Sequence, residues 1–189
     1  MQPAVVVLIA LAVVLVASVA FLWLRSREAT LAGERQHSST WLVWLAGLLG
    51  LAVTLVDWIA LRAQALVALN LAVGGGLFLV GLVFRILSRR ALGRYYTPRL
   101  VILPDHRLVT SGIYAVIRHP GYLGFLLWAV GLSVALASWL GLAVMVGAFL
   151  PAILYRIHHE EALLRAHFGA AYEDYAARTK RLLPFVFSL

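Results

Sequence analysis

The stretch Arg118-His119-Pro120-Gly121-Tyr122-Leu123-Gly124 marks the seam between a polar, basic segment and a long apolar one. It brings together a fixed cation, an imidazole, a ring-locked proline, a phenol and two glycines. Polar groups are costly to place at a membrane edge, so the cluster needs a reason. Pro120 suits the first position of a helix, and the apolar run it opens continues to about Ala137. Ser138-Trp139 leaves only a very short connection before a second apolar run, from about Leu140 to Arg156. Two helices joined so tightly must form an antiparallel hairpin. At about 1.5 Å per residue each reaches roughly 25 Å, only just enough to cross a bilayer. Pro151 lies inside the second run and is expected to kink it, because its ring removes a backbone donor.

The rest of the chain is consistent with a membrane solvent. Of its 189 residues, 63% are hydrophobic and 13% charged, whereas soluble domains carry about 25% charged residues. Runs of about 20 apolar residues recur, which is what a helix needs to cross roughly 30 Å of hydrocarbon. Backbone groups in lipid must satisfy one another, so the spans are helices. The first runs from about Pro3 to Leu24 and holds no ionisable group. It lacks a basic n-region and a small-residue cleavage site, so it reads as a retained span rather than a signal peptide. A second span covers about Trp41 to Leu61, Arg62 to Gln64 make a tight turn, and a third span covers about Ala65 to Leu87. Gly74-Gly75-Gly76 in the third lacks the strand–turn–helix setting of a phosphate loop and reads as close helix packing through small residues. There is no cysteine, which excludes thiolate–zinc sites and a cysteine nucleophile. No convergent histidine–carboxylate spacing suggests a metal, since the adjacent His158 and His159 point to different sides of a helix.

The longest non-spanning segment, Ser88 to His119, is rich in arginine and broken by Pro98 and Pro104. Thr110-Ser111-Gly112 resembles a helix start for a short helix ending near Arg118. After His158, Leu163, Leu164, Phe168, Tyr172 and Tyr175 recur at spacings of three and four up to Pro184. This predicts an interfacial amphipathic helix. The expected architecture is all-α: an integral membrane protein of five transmembrane helices, with a tight C-terminal hairpin and a cytoplasmic amphipathic C-terminal helix. It forms one membrane domain over 1–189, with two N-terminal spans in 1–64 and the rest in 65–189. Every Lys and Arg except Arg62 falls on one side, which the positive-inside rule makes cytoplasmic, with the N-terminus outside. Trp41 and Trp44 fall at the inner interface as aromatic anchors. The net charge of +8 therefore reflects topology and membrane lipids rather than nucleic acid. Abundant Ala, Leu, Val and Arg point to a GC-rich bacterial genome and a bacterial cytoplasmic membrane.

Three polar clusters converge on that side: His106 to Tyr114, Arg118 to Gly124, and Arg156 to Glu161. The hairpin brings the last two to the same membrane depth. Each also has an ordinary explanation. Arg118 and His119 could snorkel at the interface, and Glu160 and Glu161 could occupy the solvated first turn of a helix. Asp57 is an ionisable group inside a span, and its neighbours Trp58 and Arg62 suggest an outer-edge ion pair.

Taken together the clusters are more specific. The pattern Gly112-x-Tyr114-x-x-x-Arg118-His119-Pro120-x-Tyr122-x-Gly124, followed by Glu160-Glu161-x-x-Leu164-x-x-x-Phe168-Gly169-x-x-Tyr172-x-x-Tyr175 and Pro184, resembles the isoprenylcysteine carboxyl methyltransferase family. It is also similar to the phospholipid methyltransferases. The resemblance covers about Gly93 to Phe187, and the first two spans carry no family signal.

The resemblance implies a membrane-embedded enzyme that uses S-adenosylmethionine to methylate a lipophilic or lipidated acceptor, most simply at a carboxyl group. By motif, His106, Arg107, Leu108, Val109 and Tyr114 would line the cofactor pocket, with Arg118, His119, Pro120, Gly121 and Tyr122. Glu160 would contact the cofactor from the other side. Arg156 matches the arginine associated with the acceptor and is the expected catalytic and substrate-binding residue. Arg99 departs from the family, standing where relatives have a glutamine-like cofactor contact. The chemistry suits these residue types. Arg118 or His119 can hold the cofactor carboxylate, Glu160 its ammonium or ribose hydroxyls, and Tyr114 and Tyr122 can face the sulfonium or adenine. A carboxylate acceptor is already ionised at neutral pH, whereas an amine or hydroxyl acceptor would need a base such as Glu161 or His159. The alternatives are a phospholipid or amine N-methyltransferase, and an NADPH-dependent sterol-type membrane reductase.

Overall fold

The computed structural model describes residues 39–61, 68–97, 100–103 and 105–182. Every regular element among them is helical, apart from one isolated parallel bridge between Ile117 and Lys180. Helix α1 covers Ser39–Val56 and passes into a π-helical turn, Asp57–Leu61. Helix α2 covers Ala68–Leu92 and tightens into a 3-10 turn, Gly93–Tyr95. Helix α3 is Pro120–Ala135 and α4 is Trp139–Val144. A π-helical turn, Met145–Phe149, joins α4 to α5, Leu150–Phe168, and α6 is Ala170–Arg178.

Three of these helical runs are long and apolar enough to cross a membrane: Ser39–Ile59, Ala68–Tyr95 and Trp139–Phe168, with mean hydropathies of 2.0, 2.0 and 1.9. Their outer faces are oily. Leu69 is 70% exposed, Leu45 63% and Val56 62%, a burden that only lipid relieves. The chain is therefore an integral membrane protein. The expected span from Pro3 to Leu24 and the turn from Arg62 to Gln64 lie outside the described residues.

Several boundaries differ from the sequence reading. The third span does not stop at Leu87. No breaker occurs before Gly93, which adopts φ +51°, and Arg89 and Arg90 in the last turn are favoured there by the helix dipole. The short helix expected from Thr110 to Arg118 is only a 3-10 turn, Gly112–Ala115. The Ser111 side chain makes no capping bond, and the chain beyond Val116 is drawn into the bridge with Lys180.

The hairpin forms as expected. Its turn uses Ala137 at φ 52°, and Ser138 caps α4 by accepting from the Gly141 amide. The second arm, however, does not end at Arg156 but runs on to Phe168. At Pro151 the interruption takes the form of the π-helical turn immediately before α5, a common companion of helix irregularity. The single amphipathic helix expected after His158 is divided at Gly169, which takes φ 53°. Leu163, Leu164 and Phe168 therefore end the long helix, and Tyr172 and Tyr175 belong to α6. Asp57 is 3% exposed and accepts from Ser138 Oγ at 2.7 Å, so it ties the hairpin turn to α1. Its suggested partner, Arg62, is outside the described residues.

The closest helix pair is α2 with α3, and the reason is four glycines in two seven-residue spacings. A Cβ on Gly81 would stand 2.5 Å from the Trp128 backbone nitrogen, and one on Gly131 would stand 2.5 Å from the Phe78 nitrogen. Gly74 and Gly124 are equally confined by the opposing backbone. Of the Gly74-Gly75-Gly76 run only Gly74 packs, since Gly75 and Gly76 have nothing within 4 Å of an added Cβ. Gly81→Val is therefore expected to destabilise the protein by about 3 kcal/mol or more, because backbone cannot rotate away from an overpacked site. Gly76→Ala should leave stability unchanged or raise it by up to about 1 kcal/mol through helix propensity. Thermal unfolding of the two variants in one detergent measures the contrast.

Candidate active site

The segment Arg118–His119 is held from three directions. Its backbone pairs with the segment after α6: the Arg118 amide donates to the Lys180 carbonyl at 2.8 Å and the His119 amide to the Arg181 carbonyl at 3.2 Å. Its side chains meet Glu161 on α5. Arg118 Nε donates to Glu161 Oε1 at 3.1 Å, and His119 Nε2 lies 3.2 Å from the same oxygen. On the other oxygen, Arg181 Nη2 donates at 2.9 Å and Arg165 Nη2 stands at 3.5 Å. Glu161 is 1% exposed, so one buried carboxylate binds three arginines and an imidazole. Arg118 Nη1 also donates to the Ala176 carbonyl at 2.7 Å and to that of Thr179. Its Nε is thus engaged by α5, and its Nη1 holds α6 and the segment beyond it.

Glu160, one residue earlier on the helix, faces elsewhere, because successive helical residues point about 100° apart. It accepts from the Tyr122 hydroxyl at 2.6 Å. The same hydroxyl accepts from Arg156 Nε at 2.6 Å. Arg156 is one turn before Glu160 and shares its face. It is 5% exposed, and its Nη1 donates to Thr40 Oγ1 at 2.6 Å. A phenol thus links a guanidinium and a carboxylate.

The segment between α2 and α3 borders the same space. His106 stacks on Tyr95 with ring centroids 4.9 Å apart and meets the edge of Phe168 at 5.8 Å. Its Nδ1 accepts from the Leu103 amide at 3.4 Å. Burial, with nearby His167 second, holds the imidazole below its ordinary pKa and in keeping with that accepting role. Tyr114 shares a 2.7 Å hydrogen bond with Ser88. Burial pushes its phenol up, so it remains protonated at neutral pH. Tyr175 donates to the Tyr114 carbonyl at 2.8 Å, and burial raises its own phenol to about 12.

Tyr95, His106, Tyr114, Tyr122, Arg156 and Glu160 line one cavity of about 210 Å³. Of the residues singled out in the sequence, His106, Arg107, Leu108, Val109, Tyr114, Arg118, His119, Gly121, Tyr122, Arg156 and Glu160 all border it. Pro120 does not; it is buried as the first residue of α3. Arg99 lies outside the described residues. The sequence reading missed Thr40, Ser88 and Tyr95, none of which carries a motif. It also took Trp44 for an interfacial anchor, whereas Trp44 is part of the cavity wall and meets the edge of Phe125 at 6.1 Å.

The isoprenylcysteine carboxyl methyltransferase family model matches residues 74–166. Over that segment, just under half of its length, the chain is similar to the isoprenylcysteine carboxyl methyltransferase family. Among curated relatives, a probable protein-S-isoprenylcysteine O-methyltransferase of Oryza sativa subsp. indica is 39% identical over 116 residues, covering 60% of this chain and 61% of the relative. Protein-S-isoprenylcysteine O-methyltransferase B of Arabidopsis thaliana is 37% identical over 115 residues, covering 58% of this chain and 57% of that one. The solved structure of the eukaryotic intramembrane Ras methyltransferase ICMT superposes with a TM-score of 0.62 at 25% identity, covering 75% of this chain and 52% of that one. The chain thus spans a little over half the length of these proteins. All these relatives are eukaryotic and lend no support to a bacterial membrane. The family segment contains α3, α4 and most of α5, with Tyr122, Arg156, Glu160 and Glu161, but α1 and Thr40 fall before it.

Proposed function

We propose that the protein is an S-adenosylmethionine-dependent methyltransferase of the membrane, acting on the carboxylate of a lipophilic, isoprenylcysteine-like acceptor. The observation that carries this reading is the Arg156–Tyr122–Glu160 chain at the wall of a cavity lined largely by the family-matched segment. The lining fits the cofactor. It offers a carboxylate, Glu160, for the ammonium or ribose hydroxyls, aromatic rings at Tyr95 and His106 for a base, and apolar side chains at Leu108 and Val109. When bound, the sulfonium supplies an electrophilic methyl group, which passes to an acceptor oxygen as the S–CH₃ bond breaks to leave a neutral thioether.

The residues have three tasks. Arg156 orients the anionic acceptor through its fixed guanidinium. Tyr122 holds Arg156 and Glu160 in register, so that the donor side and acceptor side keep a set separation, and in-line transfer depends on such positioning. The closing segment around His106 keeps water out. No proton needs to leave a carboxylate acceptor, which suits the state of Glu161. That residue was a candidate base, but all its charge is matched by Arg118, His119, Arg165 and Arg181. The other candidate base, His159, meets Tyr155 edge-on at 4.4 Å and does not border the cavity. These facts favour carboxyl over amine methylation. The methyltransferase relatives leave the NADPH reductase reading without support. Five spans, an outer N-terminus and a cytoplasm-facing cavity complete the proposed arrangement.

The test is transfer of a radiolabelled methyl group from S-adenosylmethionine to N-acetyl-S-farnesyl-L-cysteine, with phosphatidylethanolamine as the competing acceptor. Label released as methanol by mild alkali is the expected result, since esters hydrolyse and N-methyl groups do not. Alkali-stable label confined to the phospholipid would overturn it.

A further inference from the structure

Helix α1 lies before the matched family segment, yet it supplies part of the cavity wall. Thr40, Val43 and Trp44 border the cavity, and their spacing of three and four places them on one helical face. Thr40 does more than fill space. It is 7% exposed, and its hydroxyl accepts from Arg156 Nη1 at 2.6 Å. Arg156 Nε meanwhile donates to the Tyr122 hydroxyl at 2.6 Å. The two acceptors sit on separate helices, α1 and α3, and receive from different nitrogens of one planar, rigid group. Two such bonds, from different nitrogens to different helices, constrain the plane of a guanidinium more tightly than either alone.

We propose that Thr40 is a positioning residue that sets the plane of Arg156, making α1 the element that aligns the acceptor. This rests on the reading of Arg156 as the acceptor-binding group. The acceptor chemistry it serves is an ionised carboxylate on a lipophilic chain, because a forked donor of fixed plane suits a planar two-oxygen anion. The neighbouring apolar wall belongs to the same helix: Trp44 meets Phe125 at 6.1 Å, and Phe125 meets Phe149 at 5.0 Å. α1 thus provides both a polar contact that orients the cation and an aromatic surface beside it for the hydrocarbon part of the acceptor.

The experiment uses the full chain in detergent and two variants, Thr40→Val and Thr40→Ser. Valine keeps the shape of threonine and removes the hydroxyl; serine keeps the hydroxyl. The first readout is binding without any methyl donor, comparing N-acetyl-S-farnesyl-L-cysteine with its neutral methyl ester. The wild type is expected to prefer the acid, Thr40→Val to lose at least about tenfold of that preference, and Thr40→Ser to restore it to within about threefold, in line with a hydrogen bond to a charged group. The second readout is binding of S-adenosylhomocysteine, expected to stay within twofold in both variants. A wild type that binds acid and ester equally would overturn the carboxylate reading, and the role of Thr40 with it. A wild type that prefers the acid while Thr40→Val keeps the same preference would overturn the role of Thr40 alone. Equal loss of both ligands in Thr40→Val and Thr40→Ser would show that the residue only supports the fold, and would also overturn the proposal.

Discussion

Glu161→Ala is expected to lower unfolding stability by about 3–5 kcal/mol, the cost of removing one partner from a buried ionic group. The direction follows from what the carboxylate neutralises. Arg118 and Arg181 pair with its two different oxygens at 3.1 and 2.9 Å, and the Arg118 side chain is only 6% exposed. Without Glu161, Arg118 would keep two carbonyl acceptors but no counter-charge, with Arg181 beside it. Exposed pairs contribute far less, so Arg165–Glu173, with side chains 41% and 60% exposed, offers a useful contrast. Glu173→Ala should change stability by less than about 1 kcal/mol. Thermal unfolding in detergent compares the two. Limited proteolysis adds location, because the backbone bonds of Arg118 and His119 to residues 180 and 181 depend on the same anchor, and Glu161→Ala should expose the segment after α6 to cleavage first. Equal stability of Glu161→Ala and the wild type would show that the cluster holds nothing.

The bilayer-crossing character and the hairpin were legible because each has a local cause. Uninterrupted apolar runs define spans, and Pro120 and Ser138-Trp139 define where the hairpin starts and turns. What escaped the sequence was mostly a matter of which side of a helix a residue faces. The rule that adjacent residues diverge separated His158 from His159 but was not applied to Glu160 and Glu161, although the pairs Arg156–Glu160 and Glu161–Arg165 each share a face. The helix continues past Arg156 because a change from apolar to polar residues is not in itself a change of element. A helix leaving a membrane changes its solvent without changing its hydrogen bonds, and only Gly169, at positive φ, ends it. The short helix before Arg118 failed for the opposite reason. A helix-start signal is local, and the competing backbone partner, Lys180, lies 62 residues from Arg118 in the numbering. Thr40 carried no sequence signal at all, since a threonine near the start of an apolar run reads as a cap.

The largest expected effect on activity belongs to Arg156→Ala, which should reduce methyl transfer by at least about 100-fold, as loss of a preorganised charge at a reacting group typically does. The loss should appear in the acceptor, not the donor. Glu160, the carboxylate proposed for the donor side, keeps its partner Tyr122 when Arg156 is removed, so S-adenosylhomocysteine should bind within a few-fold of wild type. Arg156→Lys separates charge from geometry. A lysine retains the positive charge but presents it on one nitrogen, whereas the guanidinium reaches Tyr122 through Nε and Thr40 through Nη1, each at 2.6 Å. If charge alone attracts the acceptor, Lys should recover most of the activity. If the plane of the fork aligns the acceptor oxygen with the methyl group, Lys should restore acceptor binding more than turnover, lowering KM toward wild type while kcat stays depressed. The geometry favours the second result, because a guanidinium tied to two helices is held far more tightly than attraction alone requires. Steady-state kinetics with a farnesylated cysteine acceptor distinguish the two. Wild-type turnover in Arg156→Ala would remove Arg156 from the reaction altogether and leave its buried hydrogen bonds with a purely structural purpose.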